Sequence, residues 1–177
     1  MVVASNAIVT GRAKTDLLGI YLNDHLAGAT GGSELARRVA RAHGGGQSGG
    51  ALRRLAGEIA QDRAALLEFM AVLGIPVRSY KAYAAWLGEK AARLKLNGRL
   101  LARSPLSSLE ELEMMRLGVE GKAAGWRTLR TLAETDTRLD AGRLDELISR
   151  ARSQTDLLEE LRVDAANKVI GREPGRR

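Results

Sequence analysis

Four long stretches of this chain carry inward-type residues at alternating intervals of three and four, and no other feature constrains the fold so tightly. That spacing aligns one face of an α-helix, whose turn takes 3.6 residues. From about Asp16 to His43 it falls on Leu18, Leu22, His25, Ala29, Gly32, Leu35 and Val39. From Ala51 to Leu73 it falls on Leu52, Leu55, Ile59, Asp62, Leu66, Phe69 and Leu73. A third stretch runs from Ser104 or Ser107 through Trp126 to about Glu134. The fourth starts near Asp140 to Gly142 and carries Leu144, Leu147, Ala151, Gln154, Leu158, Leu161, Ala165 and Val169. No segment alternates with period two over any length, so an all-α protein without β-structure is expected.

The breaks between stretches set the connections. "GGGQSGG" after His43 has no helical future, and "GIP" stops the second stretch because Gly74 can cap a helix and Pro76 cannot continue one. "SPLSSLEELE" opens the third with capping serines, an early proline and glutamates near the positive helix end. Between the second and third lies "SYKAYAAWLGEKAARLKLN", from the N-cap candidate Ser79 to Asn97, a further helical segment. The connections before the second and fourth stretches are short, which makes two antiparallel hairpins. The one in the middle is long enough to travel the length of a bundle. Residues 1–15 read as an N-terminal arm, 16–171 as one helical domain with its crossover over 75–104, and 172–177 as a loose tail.

Composition narrows the function classes. Absence of Cys excludes disulfides, thiolate metal sites and Cys nucleophiles. No apolar run is long enough for a transmembrane helix. The N-terminal "MVVASNAIVTGRAK" lacks the leading positive charge of a secretory signal, so a cytoplasmic protein is expected. "GGGQSGG" lacks the lysine of a phosphate-binding loop, and there is no G-x-S-x-G nucleophile elbow.

The net charge of +7 is concentrated: between Arg78 and Arg103 there are seven basic residues against Glu89 alone. Tyr80, Tyr83, Trp86 and Leu87 fall at helical spacing in the same segment, and Lys90, Arg93, Lys95, Arg99 and Arg103 follow. These five are the anion-binding candidates, for weak nucleic-acid or anionic-surface contact. The simpler reading is a strap whose aromatic face packs on the bundle while its charges stay solvated.

Each stripe is interrupted by a polar residue: His25 in the first, Asp62 in the second with Glu58 one turn away, Gln154 in the fourth. The third offers Glu113 and Glu120, seven apart and on one face. Buried unpaired, such groups cost several kcal/mol, so each needs a partner or an ion. Folding the first hairpin about Gln47 sets Asp62 opposite Gly31 and Gly32, and folding the second brings Glu120 level with Gln154. Gly28, Gly31 and Gly32 then either make room for Asp62 and its hydration or let helices approach closely. His25 is either a core histidine bonded to a neighbouring helix or a ligand.

Two hairpins joined by a lengthwise crossover, with inward carboxylates, resemble the ferritin-like superfamily over about Asp16 to Ile170. Its di-metal members take one Glu from each of two helices and a Glu-x-x-His pair from each of the other two. In "EIAQ" Glu58 stands in the Glu place and Gln61 in the His place; in "EELR" Glu159 and Arg162 do so. The resemblance implies a ferritin-like four-helix bundle with an incomplete di-iron ligand set, acting through protein association as a homodimer rather than as an enzyme. The alternative it leaves is a divergent metal site of His25, Glu58, Asp62 and Glu120, a donor set suiting iron or manganese better than zinc in a stress-related or oxidoreductase protein.

Overall fold

The computed structural model describes residues 3–46, 48–78 and 105–171, with side chains from Leu17 onward except that of Pro105. The crossover segment beyond Arg78, with Lys90, Arg93, Lys95, Arg99 and Arg103, lies outside the described residues, as does the tail from 172. Four helices account for most of the rest: α1 (Val3–Ala42), α2 (Gly49–Val72), α3 (Pro105–Leu132) and α4 (Ala141–Ile170). Among the described residues there is no strand, and no helix is long and apolar enough to cross a membrane.

The helix ends follow from local chemistry. α2 stops where Gly74 takes φ 70°, a left-handed conformation that costs glycine nothing. The Ile75 N–H then closes back on the Met70 carbonyl at 2.8 Å, satisfying an orphan acceptor of the last turn. α4 starts at Asp140, whose side chain accepts from the Arg143 N–H at 3.0 Å. α1 begins at Val3, well ahead of Asp16. The segment taken from sequence as an arm is helical, because "VASNAIVTGRAK" holds no proline and mostly tolerable helix formers.

The stripes bury as their periodicity predicts. All seven positions of the α2 stripe are buried, Asp62 among them. Every helix contributes to both of two apolar clusters. One gathers Leu22, Phe69, Met70, Trp126, Leu129 and Leu144; the other gathers Val39, Leu55, Ile59, Met115, Val119 and Leu158. At about 25 cal/mol per Å² of apolar surface, such burial is the main force holding four helices together. The side chains of Asp62, Lys122 and Gln154 belong to neither cluster: Asp62 falls between the two along α2, whereas Lys122 and Gln154 interrupt the second cluster, beside Ala123 and between Ala151 and Leu158.

After α2 the chain turns towards α1. Asn23 donates to the Pro76 carbonyl at 3.1 Å and accepts from the Arg78 N–H at 2.7 Å.

Candidate functional site

The α2 periodicity forces Asp62 inward between Ile59 and Leu66, and it is 2% exposed. A carboxylate so deep must be charge-paired or protonated. Two cations reach it: Lys122 of α3 on Oδ2 and Arg150 of α4 on Oδ1. Gln154 of α4 ties the set together. Its Oε1 accepts from Lys122 Nζ at 2.5 Å, and its Nε2 donates to Glu58 at 2.9 Å and to Asp62 at 3.3 Å. Burial pulls the Lys122 ammonium below the ordinary lysine value, against the attraction and hydrogen bond of Asp62. Two acids and two cations balance, and three helices are locked to one another at this level.

The sequence turns Asp62 and Gln154 inward and sets Glu58 one turn from Asp62, but it pairs Gln154 with Glu120 rather than with Asp62 and gives no place to the cations. Lys122 continues the three-four stripe of Leu112, Met115, Val119, Trp126 and Leu129, and that spacing was the signal for it. Glu120 does not bond Gln154; it is exposed, because two residues of helix turn it roughly 200° away from Lys122. Arg150 sits one turn before Gln154, where its long stem brings the guanidinium back over Asp62.

The four metal candidates therefore do not converge. Asp62 is held by cations, Glu58 faces Gln154, Glu120 points outward and His25 belongs to another contact. Among the described residues no group of three or more His, Asp or Glu side chains is placed to hold a metal ion. The pair in the "EELR" position makes a surface ion pair instead: Arg162 donates to Glu159 at 2.7 and 2.9 Å and holds its carboxyl below the usual range.

His25 answers to α3. Its imidazole packs edge-on against Tyr21, ring centres 4.5 Å apart, and lies on the backbone of Gly125. A Cβ at Gly125 would fall 3.0 to 3.4 Å from three ring atoms, so only glycine leaves the ring its seat. Among the described residues no hydrogen-bond partner meets either ring nitrogen. Burial lowers the imidazole's pKa from its ordinary value, with Asp24 opposing.

Along the α1–α3 seam the contacts run in a regular order: Tyr21 Oη to Thr128 Oγ1 at 3.1 Å, His25 on Gly125, Arg38 to Glu111 at 3.3 Å. Interpolation sets Gly28 across from Gly121 and Gly32 across from Gly118. Facing glycines ordinarily let helices close on each other. Here a Cβ built on any of these four meets no atom within 4 Å, and Gly28, Gly118 and Gly121 are exposed, so the seam opens to solvent at this level. The space is a cavity of about 400 Å³, walled by Leu22, Leu35, Ile59, Leu66, Met115 and Trp126, and reaching Asp62, Lys122 and His25. That volume lies in the range of small-molecule pockets. Of the two readings of the α1 glycines, the open space matches room rather than close approach.

No protein family, curated protein or solved structure matches this chain.

Proposed function

We propose that this protein is a small-molecule-binding helical bundle that acts by holding a ligand in the slot between α1 and α3. The observation that carries the reading is the set of four helical glycines, Gly28, Gly32, Gly118 and Gly121, that neither touch a neighbour nor close the seam. Each sits inside a helix at a cost of about 1 kcal/mol relative to alanine. The slot's walls are aliphatic and aromatic, its polar groups few and localised, as ligand pockets are.

The arrangement of helices we propose is ferritin-like: two antiparallel hairpins joined by a long crossover. Arg63 of α2 donates to Thr30 of α1 at 3.0 Å, Arg130 of α3 to Asp145 of α4 at 3.0 Å, and Arg116 pairs with Glu159 at 3.2 Å. Arg53 also donates to the Gly44 carbonyl just past α1 at 3.0 Å, so within each hairpin rising numbers on one side meet falling numbers on the other, which supports that order.

Titration calorimetry of the purified chain with naphthalene, a neutral apolar probe of suitable size, tests the reading. Saturable one-to-one binding is expected, and it should vanish in a Gly32→Leu/Gly118→Leu variant whose circular dichroism still shows folded helix. Absence of saturable binding up to the solubility limit refutes it.

A further inference from the structure

A second recess lies between α1 and α2. Arg37 and Arg41 of α1 and Arg53 of α2 line a concavity of about 430 Å³ whose floor is made of small residues, Ala40, Gly44, Ala56, Gly57 and Ala60. None of these residues lines the slot between α1 and α3, so the two sites stand or fall separately. We propose that the recess binds a phosphate monoester, its phosphoryl group held by the three arginines and its organic remainder lying on the alanine and glycine floor.

Charge balance points to an anion. Elsewhere arginines reach acids: Arg38 takes Glu111 at 3.3 Å, Arg116 takes Glu159 at 3.2 Å, Arg130 takes Asp145 at 3.0 Å, and Arg150 takes Asp62. Among the described residues no carboxylate pairs with Arg37, Arg41 or Arg53. Two acids stand near them in sequence and neither serves. Glu58, beside Gly57, accepts from Gln154 at 2.9 Å. Glu34, one turn before Arg37 on α1, is exposed and makes no ion pair among the described residues. Cations gathered without a counter-ion repel one another, and Arg37 and Arg41, four apart on one helix face, are an unfavourable like-charge pair. A bound anion relieves that repulsion.

The end of α1 accounts for only part of the cluster. Its last carbonyls favour a cation, and Arg53 meets that demand by donating from Nη1 to the Gly44 carbonyl at 3.0 Å. The bond steadies the side chain and leaves Nε and Nη2 to face an anion. Arg37 falls outside the last turn of α1, where the helix-end charge has faded.

The arginines also indicate which anion. Several planar forks suit a tetrahedral group with several oxygens, and arginine binds phosphate in that bidentate way. A phosphate monoester carries nearly two charges at pH 7, so it gains more from three cations than a carboxylate with one. The recess is in the size range of small-molecule pockets, and a Cβ built on Gly57 meets no atom within 4 Å, so there is room over the floor for more than a phosphate.

The test is calorimetry of the full chain at low salt, in phosphate-free buffer, with phenyl phosphate, inorganic phosphate and benzoate. Phenyl phosphate should bind one-to-one and more tightly than either of the others. Arg37→Gln and Arg41→Gln should each weaken it about three- to tenfold, the worth of one charge-assisted hydrogen bond at an exposed site. Arg54→Gln removes the same charge next to Arg53 but outside the recess, and should leave binding unchanged. Gly57→Leu keeps every charge and fills the recess, so it should abolish binding while urea unfolding shows an intact fold. No saturable binding of phenyl phosphate overturns the site. Equal weakening by Arg54→Gln reduces the effect to overall charge and overturns it too, as does full affinity in a folded Gly57→Leu variant. Inorganic phosphate binding as tightly as phenyl phosphate overturns the organic remainder, and benzoate binding as tightly overturns the phosphate. Loss of phenyl phosphate binding in the Gly32→Leu/Gly118→Leu variant would put the probe in the slot and overturn this site.

Discussion

Alanine at the slot glycines should make the protein more stable and the ligand bind less well. At Gly28, Gly32, Gly118 and Gly121 an added Cβ meets nothing within 4 Å, so the substitution carries no steric cost in the unliganded fold. What remains is the helical preference of alanine over glycine, about 1 kcal/mol in a helix interior. For a domain of this size each such change should raise the melting temperature by about 2–4 °C. Two methyl groups placed across the seam, at Gly28 with Gly121 or Gly32 with Gly118, approach each other and should add less than the sum of the singles. Gly125→Ala is the built-in control, since its Cβ would fall 3.0 Å from a His25 ring carbon and displace the ring. It should gain nothing or lose stability. Urea unfolding followed by far-ultraviolet circular dichroism measures the single, double and control variants, and calorimetry with naphthalene measures the slot. If any of the four open-space variants loses more than about 0.5 kcal/mol, outside ordinary surface scatter, the seam is closed in solution and the argument fails. Equal stabilisation by Gly125→Ala would show that His25 does not rest there.

Other consequences follow from the polar layer, the imidazole and the basic segment. Asp62→Ala leaves the Lys122 ammonium buried without its counter-ion and should cost about 3–5 kcal/mol, whereas the Asp62→Leu/Lys122→Leu pair should cost far less; a double-mutant cycle with coupling under about 0.5 kcal/mol would remove the ion pair from the account. His25 has its pKa lowered in the folded state, so the unfolded chain takes up the proton first as pH falls. Stability should therefore drop from about pH 6.5, the ordinary imidazole value, down to the folded pKa, and His25→Gln should flatten that part of the profile; parallel profiles would contradict it. Retention on heparin should fall with salt and on reversing Arg93, Lys95 and Arg99 if the basic segment contacts anions; retention unchanged by the reversals would place binding elsewhere.

Much of the fold was legible because a helical stripe is a redundant signal. The α2 stripe from Leu52 to Leu73 repeats the three-four alternation three times, and each repeat confirms the others. Asp62 and Gln154 were legible for the same reason, as polar residues that the pattern forces inward. Lys122 was harder to see. Lysine on a stripe reads as an interruption, because its long stem can carry the charge out to water as easily as in to a partner. Only the position of Asp62 on another helix decides between those outcomes. Glu120 shows the opposite error: a carboxylate attractive by chemistry, standing on the wrong side of its helix. The slot was legible only as one of two alternatives for the α1 glycines, and its α3 side, Gly118 and Gly121, gave no signal. Glycines at helical spacing usually mean close packing, and whether a seam closes depends on what stands at its two ends.

Those ends explain how the seam stays apart. At one end the His25 ring is wedged between Tyr21 and the Gly125 backbone, and an imidazole is too thick to let the helices meet there. At the other, Leu35 and Met115 share a cluster, and large side chains hold the separation that glycines would forgo. Between them the ties of Asp62 to Lys122 and Arg150 fix α3 to α2 and α4, so α3 cannot slide towards α1 without breaking a buried ion pair. The imidazole is thus one of the two spacers that keep the space open, and replacing His25 by a smaller side chain should shrink the slot. His25→Ala should weaken naphthalene, a probe with no polar atom, whereas His25→Phe should leave it unchanged. Equal naphthalene affinity in the two variants would show that the slot is held open by something other than the ring at its end.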